Sequence, residues 1–185
     1  MRRLATGLFA LSLLPSLGPA QSAVPAPSPS PAPSASPLDA AEIKARERMM
    51  MITVSTVVSA ERTYAAANGT FFDEIRCLTR PVECVPGMAA DAAPFLDPTY
   101  DWLEPKLGYV RKFHAGPRPS PDEIRKAGAS PTSLRAFAFT ATPQRPGETG
   151  SRAFCGDSSG RICFTPKGTE PPVKDGRCDP CQKLE

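Results

Sequence analysis

Leu38-Asp39-Ala40-Ala41-Glu42-Ile43 opens, and Tyr64-Ala65-Ala66-Ala67-Asn68-Gly69 closes, the stretch of this chain that decides its fold. Asp39 can accept from the free amides of a first helical turn. Glu42, three residues on, is placed to reach back, and Leu38 can pack on Ile43 across the cap. At the other end Asn68-Gly69 leaves the helical region at little cost. At 3.6 residues per turn, Ile43, Met50, Met51, Val54, Val57, Val58 and Ala65 fall along one side with Tyr64 at its edge, and Arg48, Ser55, Ser59, Arg62 and Thr63 fall largely opposite. The β-branched run Ile52-Thr53-Val54-Ser55-Thr56-Val57-Val58 favours a strand by propensity, but the caps bracket a helix. The spacing therefore predicts one long helix with a single apolar face, laid on a sheet.

The sheet is read from the later half. Leu107 to Phe113 alternates, and Leu134 to Thr142 alternates strictly with apolar residues on both faces, which predicts a central strand. Arg152 to Cys155 and Arg161 to Thr165 follow as two strands joined by the turn formers Asp157-Ser158-Ser159-Gly160. Between Phe71 and Pro105 five prolines interrupt regular structure, so a structured loop is expected across the helix end. Gly116 to Pro131 reads as an exposed connection with one helical turn at Asp122 to Lys126. The fold class expected is α+β, with one helix on a four-stranded antiparallel sheet and a cysteine-tied loop and tail.

Upstream, Arg2-Arg3, the apolar run Leu4 to Leu17 and the small residues Gly18, Ala20, Ser22 and Ala23 have the order of a secretory signal peptide. The apolar run is shorter than the ~20 residues that span a bilayer. Residues 1–23 are read as that signal, with no stable membrane span after its cleavage. Residues 24–38, almost wholly Pro, Ala and Ser, form a linker with nothing to bury. Residues 39–166 are the globular domain and residues 167–185 a cysteine-containing tail. The net charge of +3 over 185 residues is spread along the chain, without the basic patch that a nucleic-acid partner requires.

Six cysteines, Cys77, Cys84, Cys155, Cys163, Cys178 and Cys181, follow a secretion signal, which favours three disulfides out of 15 connectivities. Cys77 with Cys84 is the preferred local pair. The other four are expected to pin the tail to the hairpin, without a direct Cys155 to Cys163 bond, because a turn at Asp157 to Gly160 sets those two out of opposition and on different faces. Two alternatives use the same residues. Four thiolates are the right number for a structural zinc, although Cys155 and Cys163 are spaced too widely for a knuckle. Cys178-Asp179-Pro180-Cys181 also has the spacing of a thiol-disulfide redox motif, but no helix follows to lower a thiol pKa.

Gly156-Asp157-Ser158-Ser159-Gly160 matches the Gly-x-Ser-x-Gly spacing of a hydrolase elbow, yet His114 lies upstream and strand formers follow, so a polar hairpin turn is the better reading. His114 itself reads as a strand-end residue, and Asn68-Gly69-Thr70 as a helix stop more than a glycosylation acceptor. Asp122 with Glu123, and Asp91 with Asp97, read as solvated charges. No catalytic group, metal or cofactor is expected.

Arg62-Thr63-Tyr64-Ala65-Ala66-Ala67-Asn68-Gly69-Thr70-Phe71-Phe72, followed by Phe137-Ala138-Phe139-Thr140-Ala141-Thr142-Pro143 and the hairpin Ser151 to Ile162, resembles the globular half of bacterial type IV pilins and type II secretion pseudopilins, over roughly Asp39 to Pro166. The resemblance implies an assembly or binding module with a protein partner in the cell envelope, secreted or periplasmic. A prepilin joins a long apolar helix directly to the amphipathic one. No such segment precedes Asp39 here, so the filament function is not carried over.

Overall fold

The computed structural model describes residues 39–183 apart from Trp102, so the signal and linker readings, and the Leu38 contact, lie outside the described residues. Helix α1, Ala40–Ala67, starts where the sequence placed it: the Asp39 side chain accepts from the Glu42 amide at 2.7 Å. Glu42 does not close the cap from its side. Its carboxylate instead takes Arg46 Nη2 at 2.9 Å, one turn along the helix. At the other end the amide of Asn68 bonds the carbonyls of Tyr64 and Ala65, and Gly69 enters the left-handed region at φ 59°. A glycine does this without the steric cost of a Cβ.

The following loop carries the short helix α2, Ile75–Thr79, tied by Cys77–Cys84. Then come strand β1, Tyr109–Ala115; helix α3, Pro121–Ala127; and strands β2, Phe137–Pro143, β3, Arg152–Asp157, and β4, Ile162–Pro166. Helix α3 replaces the single turn expected there. Its start is a capping box in which Ser120 and Glu123 satisfy each other's backbone amides, and Gly128 ends it at φ 62°. The four strands form an antiparallel meander in chain order, with β2 and β3 in the middle. β2 is covered on both faces, as its two-sided apolar pattern required.

The tail is part of this fold. Its strands β5, Val173–Lys174, and β6, Arg177–Cys178, make a separate ribbon, and β7, Gln182–Lys183, adds a fifth strand to the edge of β4.

The helix lies across β2 and β3. On that side Met50, Val54, Val57, Ala60 and Tyr64 meet Tyr109, Phe139, Ala141 and Phe154, with Leu78 and Leu96 from the loop closing the end. Close approach depends on Gly156 in β3. A Cβ there would stand 2.6 Å from Val58 Cγ2 and 2.7 Å from Val54 Cγ1, so a larger residue would force the helix off the sheet. Tyr64, read as an edge residue, is fully buried. Residues 47, 50, 54, 57, 61 and 64 form one alternating three-and-four stripe, and all are buried. That stripe includes Glu47 and Glu61, which a purely apolar projection leaves out.

Candidate functional site: the two faces of the domain

The face of the sheet away from α1 is built around the β3–β4 hairpin. Asp157 Oδ1 accepts from the Ser159 amide and hydroxyl, while Gly160, at φ 82°, bonds Asp157 through its amide and Asp157 bonds Arg161. This is a three-residue loop ending in a left-handed glycine, a standard hairpin closure. The extra residue corrects the expected register. Cys155 stands directly opposite Cys163 on the same face, not out of opposition on different faces. They are nevertheless not bonded to each other. Cys155 joins Cys178 and Cys163 joins Cys181, so two bridges clamp the tail to β3 and β4, and no cysteine is free. Cys155, Cys163 and Cys178 pack with Ala138 and Val173 in a second, smaller core.

Polar contacts complete the clamp. Asp157 Oδ2 accepts from the Cys178 amide at 3.1 Å, Arg161 Nη2 donates to the Cys178 carbonyl, and Thr165 donates to the Thr169 carbonyl. Cys178 and Cys181 are thus separate anchors and not one dithiol, and the four thiolates of a zinc cluster are taken up in bridges. The groups that suggested a hydrolase elbow serve the turn: Ser158, the serine at the elbow position, donates its amide to the Phe137 carbonyl, Ser159 is held by Asp157, and Asp157 by the tail. His114 sits on β1, half-buried, with its Nε2 2.9 Å from Thr140 Oγ1. Burial holds its pKa below the ordinary histidine value.

Beneath the helix end lies a buried polar cluster. Tyr64 donates to Asp73 Oδ2 at 2.9 Å, and Glu61 Oε2 accepts from the Asp73 amide at 3.3 Å while its Oε1 has no partner. Loss of water pushes the Glu61 carboxyl well above its usual range. The Asp73 amide opposes that shift, and the Asp73 charge adds to it. Asn68 is fully buried and brackets three segments. Its Nδ2 donates to the Phe71 carbonyl and Ser133 Oγ, and its Oδ1 accepts from the Ser130 amide at 2.7 Å. Its amide nitrogen is therefore committed inside the fold, in agreement with the helix-stop reading.

At the start of α1 the buried Glu47 accepts from the amides of Ser151 and Arg152 and from Arg152 Nε, all at 2.8–2.9 Å. It fixes the entry to β3. The signal that finds both glutamates is their place in the three-and-four stripe.

The outward face of α1 is different in kind. Between Arg48 and Arg62 every exposed position of the helix is uncharged, and Met49 and Ile52 stand 49% and 48% exposed. Thr56 and Thr63 turn their hydroxyls onto the carbonyls of Ile52 and Ser59, which makes this face more apolar than its composition. Ile52, Ser55, Thr56, Ser59, Ala60 and Thr63, with Phe95 from the loop, line a shallow groove of about 430 Å³.

Among the described residues no helix is long and apolar enough to cross a membrane, and no group of three or more His, Cys, Asp or Glu side chains is arranged to hold a metal ion. Comparison with protein-family models, with curated proteins and with solved structures finds no match to this chain.

Proposed function

We propose that this chain is a secreted or periplasmic, non-catalytic domain built like the head of a pilin or pseudopilin, working through protein-protein contact at the cell envelope. Three observations support this reading. A capped helix lies on an antiparallel meander in the order the resemblance implies. All six cysteines are oxidised, as suits a compartment outside the reducing cytosol. The observation that carries it furthest is the uncharged outer face of α1. Solvated helices normally place charges there, and an uncharged groove in which Ile52, Ala60 and Phe95 alternate with Ser and Thr side chains has the character of a contact surface.

The experiment is a cross-linking pull-down from envelope extracts with residues 24–185 as bait. Wild-type bait is expected to capture an envelope or secretion component, and the Ile52→Asp, Ser59→Asp double variant, both exposed positions, to lose it while keeping its fold by circular dichroism. Capture of nothing by the wild type, or equal capture by both, overturns the proposal.

A further inference from the structure

The two tail bridges are not the only way the four cysteines of the outer face can pair. The bond from the Asp157 amide to the Arg161 carbonyl sets the parity of the β3–β4 ladder, and makes Cys155 and Cys163 a directly opposed, hydrogen-bonded pair. Such pairs have Cα atoms about 5.5 Å apart, inside the roughly 4.4–6.8 Å that a disulfide spans, and their Cβ atoms, about 5 Å apart, must close by roughly 1 Å for the bond to form. Their present partners, Cys178 and Cys181, are themselves separated by only two residues. One alternative pair is therefore opposed across the ladder, and the other is close along the chain. We propose that the tail disulfides form an isomerisable lock, in which a thiol converts Cys155–Cys178 plus Cys163–Cys181 into Cys155–Cys163 plus Cys178–Cys181 and so releases the tail covalently from the sheet.

Burial dictates the order of steps. Cys155, Cys163 and Cys178 are fully buried, whereas Cys181 is partly exposed. An incoming thiolate of the low-molecular-weight or oxidoreductase class therefore attacks Cys181 Sγ. The Cys163–Cys181 bond breaks, a mixed disulfide forms on Cys181, and the electron pair goes to Cys163. The new thiolate sits in an apolar cluster, where its charge is costly, and beside Cys155. It attacks Cys155 Sγ, so the Cys155–Cys163 bond forms and Cys178 leaves as thiolate. Cys178 then attacks Cys181 Sγ in the mixed disulfide and expels the original thiol. Two protein disulfides exist before and after, no electrons are gained or lost, and the thiol acts as a catalyst.

The consequence is structural. After exchange, β7 is held to β4 only by its short backbone pairing, and β6 is held by noncovalent contacts that include the bonds of Asp157 and Arg161 to Cys178. Leaving of β7 opens the β4 edge to pairing with another extended strand.

Trypsin reports the pairing directly, because Arg152, Arg161, Lys167, Arg177 and Lys183 separate the cysteines into peptides 153–161, 162–167 and 178–183. The native pairing holds all three in one assembly. The full oxidised chain is incubated anaerobically with catalytic reduced glutathione, quenched with acid, alkylated and digested. The expected result is free peptide 178–183 carrying its own internal disulfide, together with 153–161 joined to 162–167, and no alkylated cysteine. Persistence of the three-peptide assembly, or alkylated Cys163 and Cys181 beside an intact Cys155–Cys178 bridge, overturns the proposal. The readout concerns this chain alone, so it succeeds or fails independently of any envelope partner.

Discussion

Replacing Glu61 with Gln is expected to remove most of a pH dependence that this one side chain imposes on stability. Glu61 is fully buried, faces the Asp73 carboxylate and the Tyr64 hydroxyl, and has one oxygen without a partner. The carboxyl therefore keeps its proton in the folded protein well above the ~4.3 at which an exposed glutamate loses it.

The sign follows from proton counting. Between the unfolded value and the raised folded value the native state holds one more proton, so stability falls as pH rises, by about 1.4 kcal/mol per pH unit for this single group. The full contribution is present below pH ~4.3 and is lost as pH passes through the folded value. Glutamine keeps the shape and an acceptor for the Asp73 amide but cannot ionise. Urea unfolding of wild type and Glu61→Gln at several pH values from 5 to 9, with disulfides intact, measures the difference directly. Taking the difference cancels His114, whose lowered value acts in the opposite sense, destabilising as pH falls. The variant should gain on the wild type by up to about 1.4 kcal/mol for each unit of rising pH until the folded value is passed. A difference that stays constant across the whole range would refute the argument.

Gly156→Ala should cost about 1–3 kcal/mol in the same assay, because its methyl collides with Val54 and Val58; an unchanged midpoint would mean that the helix is not seated on that glycine. Glu47→Ala leaves the amides of Ser151 and Arg152 without their acceptor and should cost about 2–4 kcal/mol, with hydrogen exchange accelerated first at the start of β3. Removing Cys77 and Cys84 together as serines should lower stability by about 2–3 kcal/mol, the loop-closure value for so short a ring. Hydrogen bonds from Arg135, and then Ser120, hold the exposed Glu123 carboxylate down to about 2; Arg135→Ala should move its NMR titration up toward the ordinary range, and no movement would show that the ion pair does not form in solution.

How far the chain could be read varies with the range of the interactions concerned. The bounds of α1 were legible because Asp39 and Asn68-Gly69 act on amides and carbonyls within four residues of themselves. The central place of β2 was legible because alternation on both faces has no other use. The Cys77–Cys84 bridge was legible because its partners lie in one short loop. The Cys155 and Cys163 register was not, since one additional loop residue, Gly160 at φ 82°, reverses which side chains oppose each other.

The sequence by itself determined the main local elements: where the long helix starts and stops, which runs become the four strands of the meander, and that the cysteines are paired. Only the tertiary structure decided that Glu47 and Glu61 are buried beside the apolar stripe, that Gly156 admits the helix, and that the tail is stapled through Cys178 and Cys181 to two different strands. Caps and periodicity are short-range properties written in consecutive residues. The partner of a buried carboxylate or a thiol is chosen by whichever distant backbone the packing brings to it.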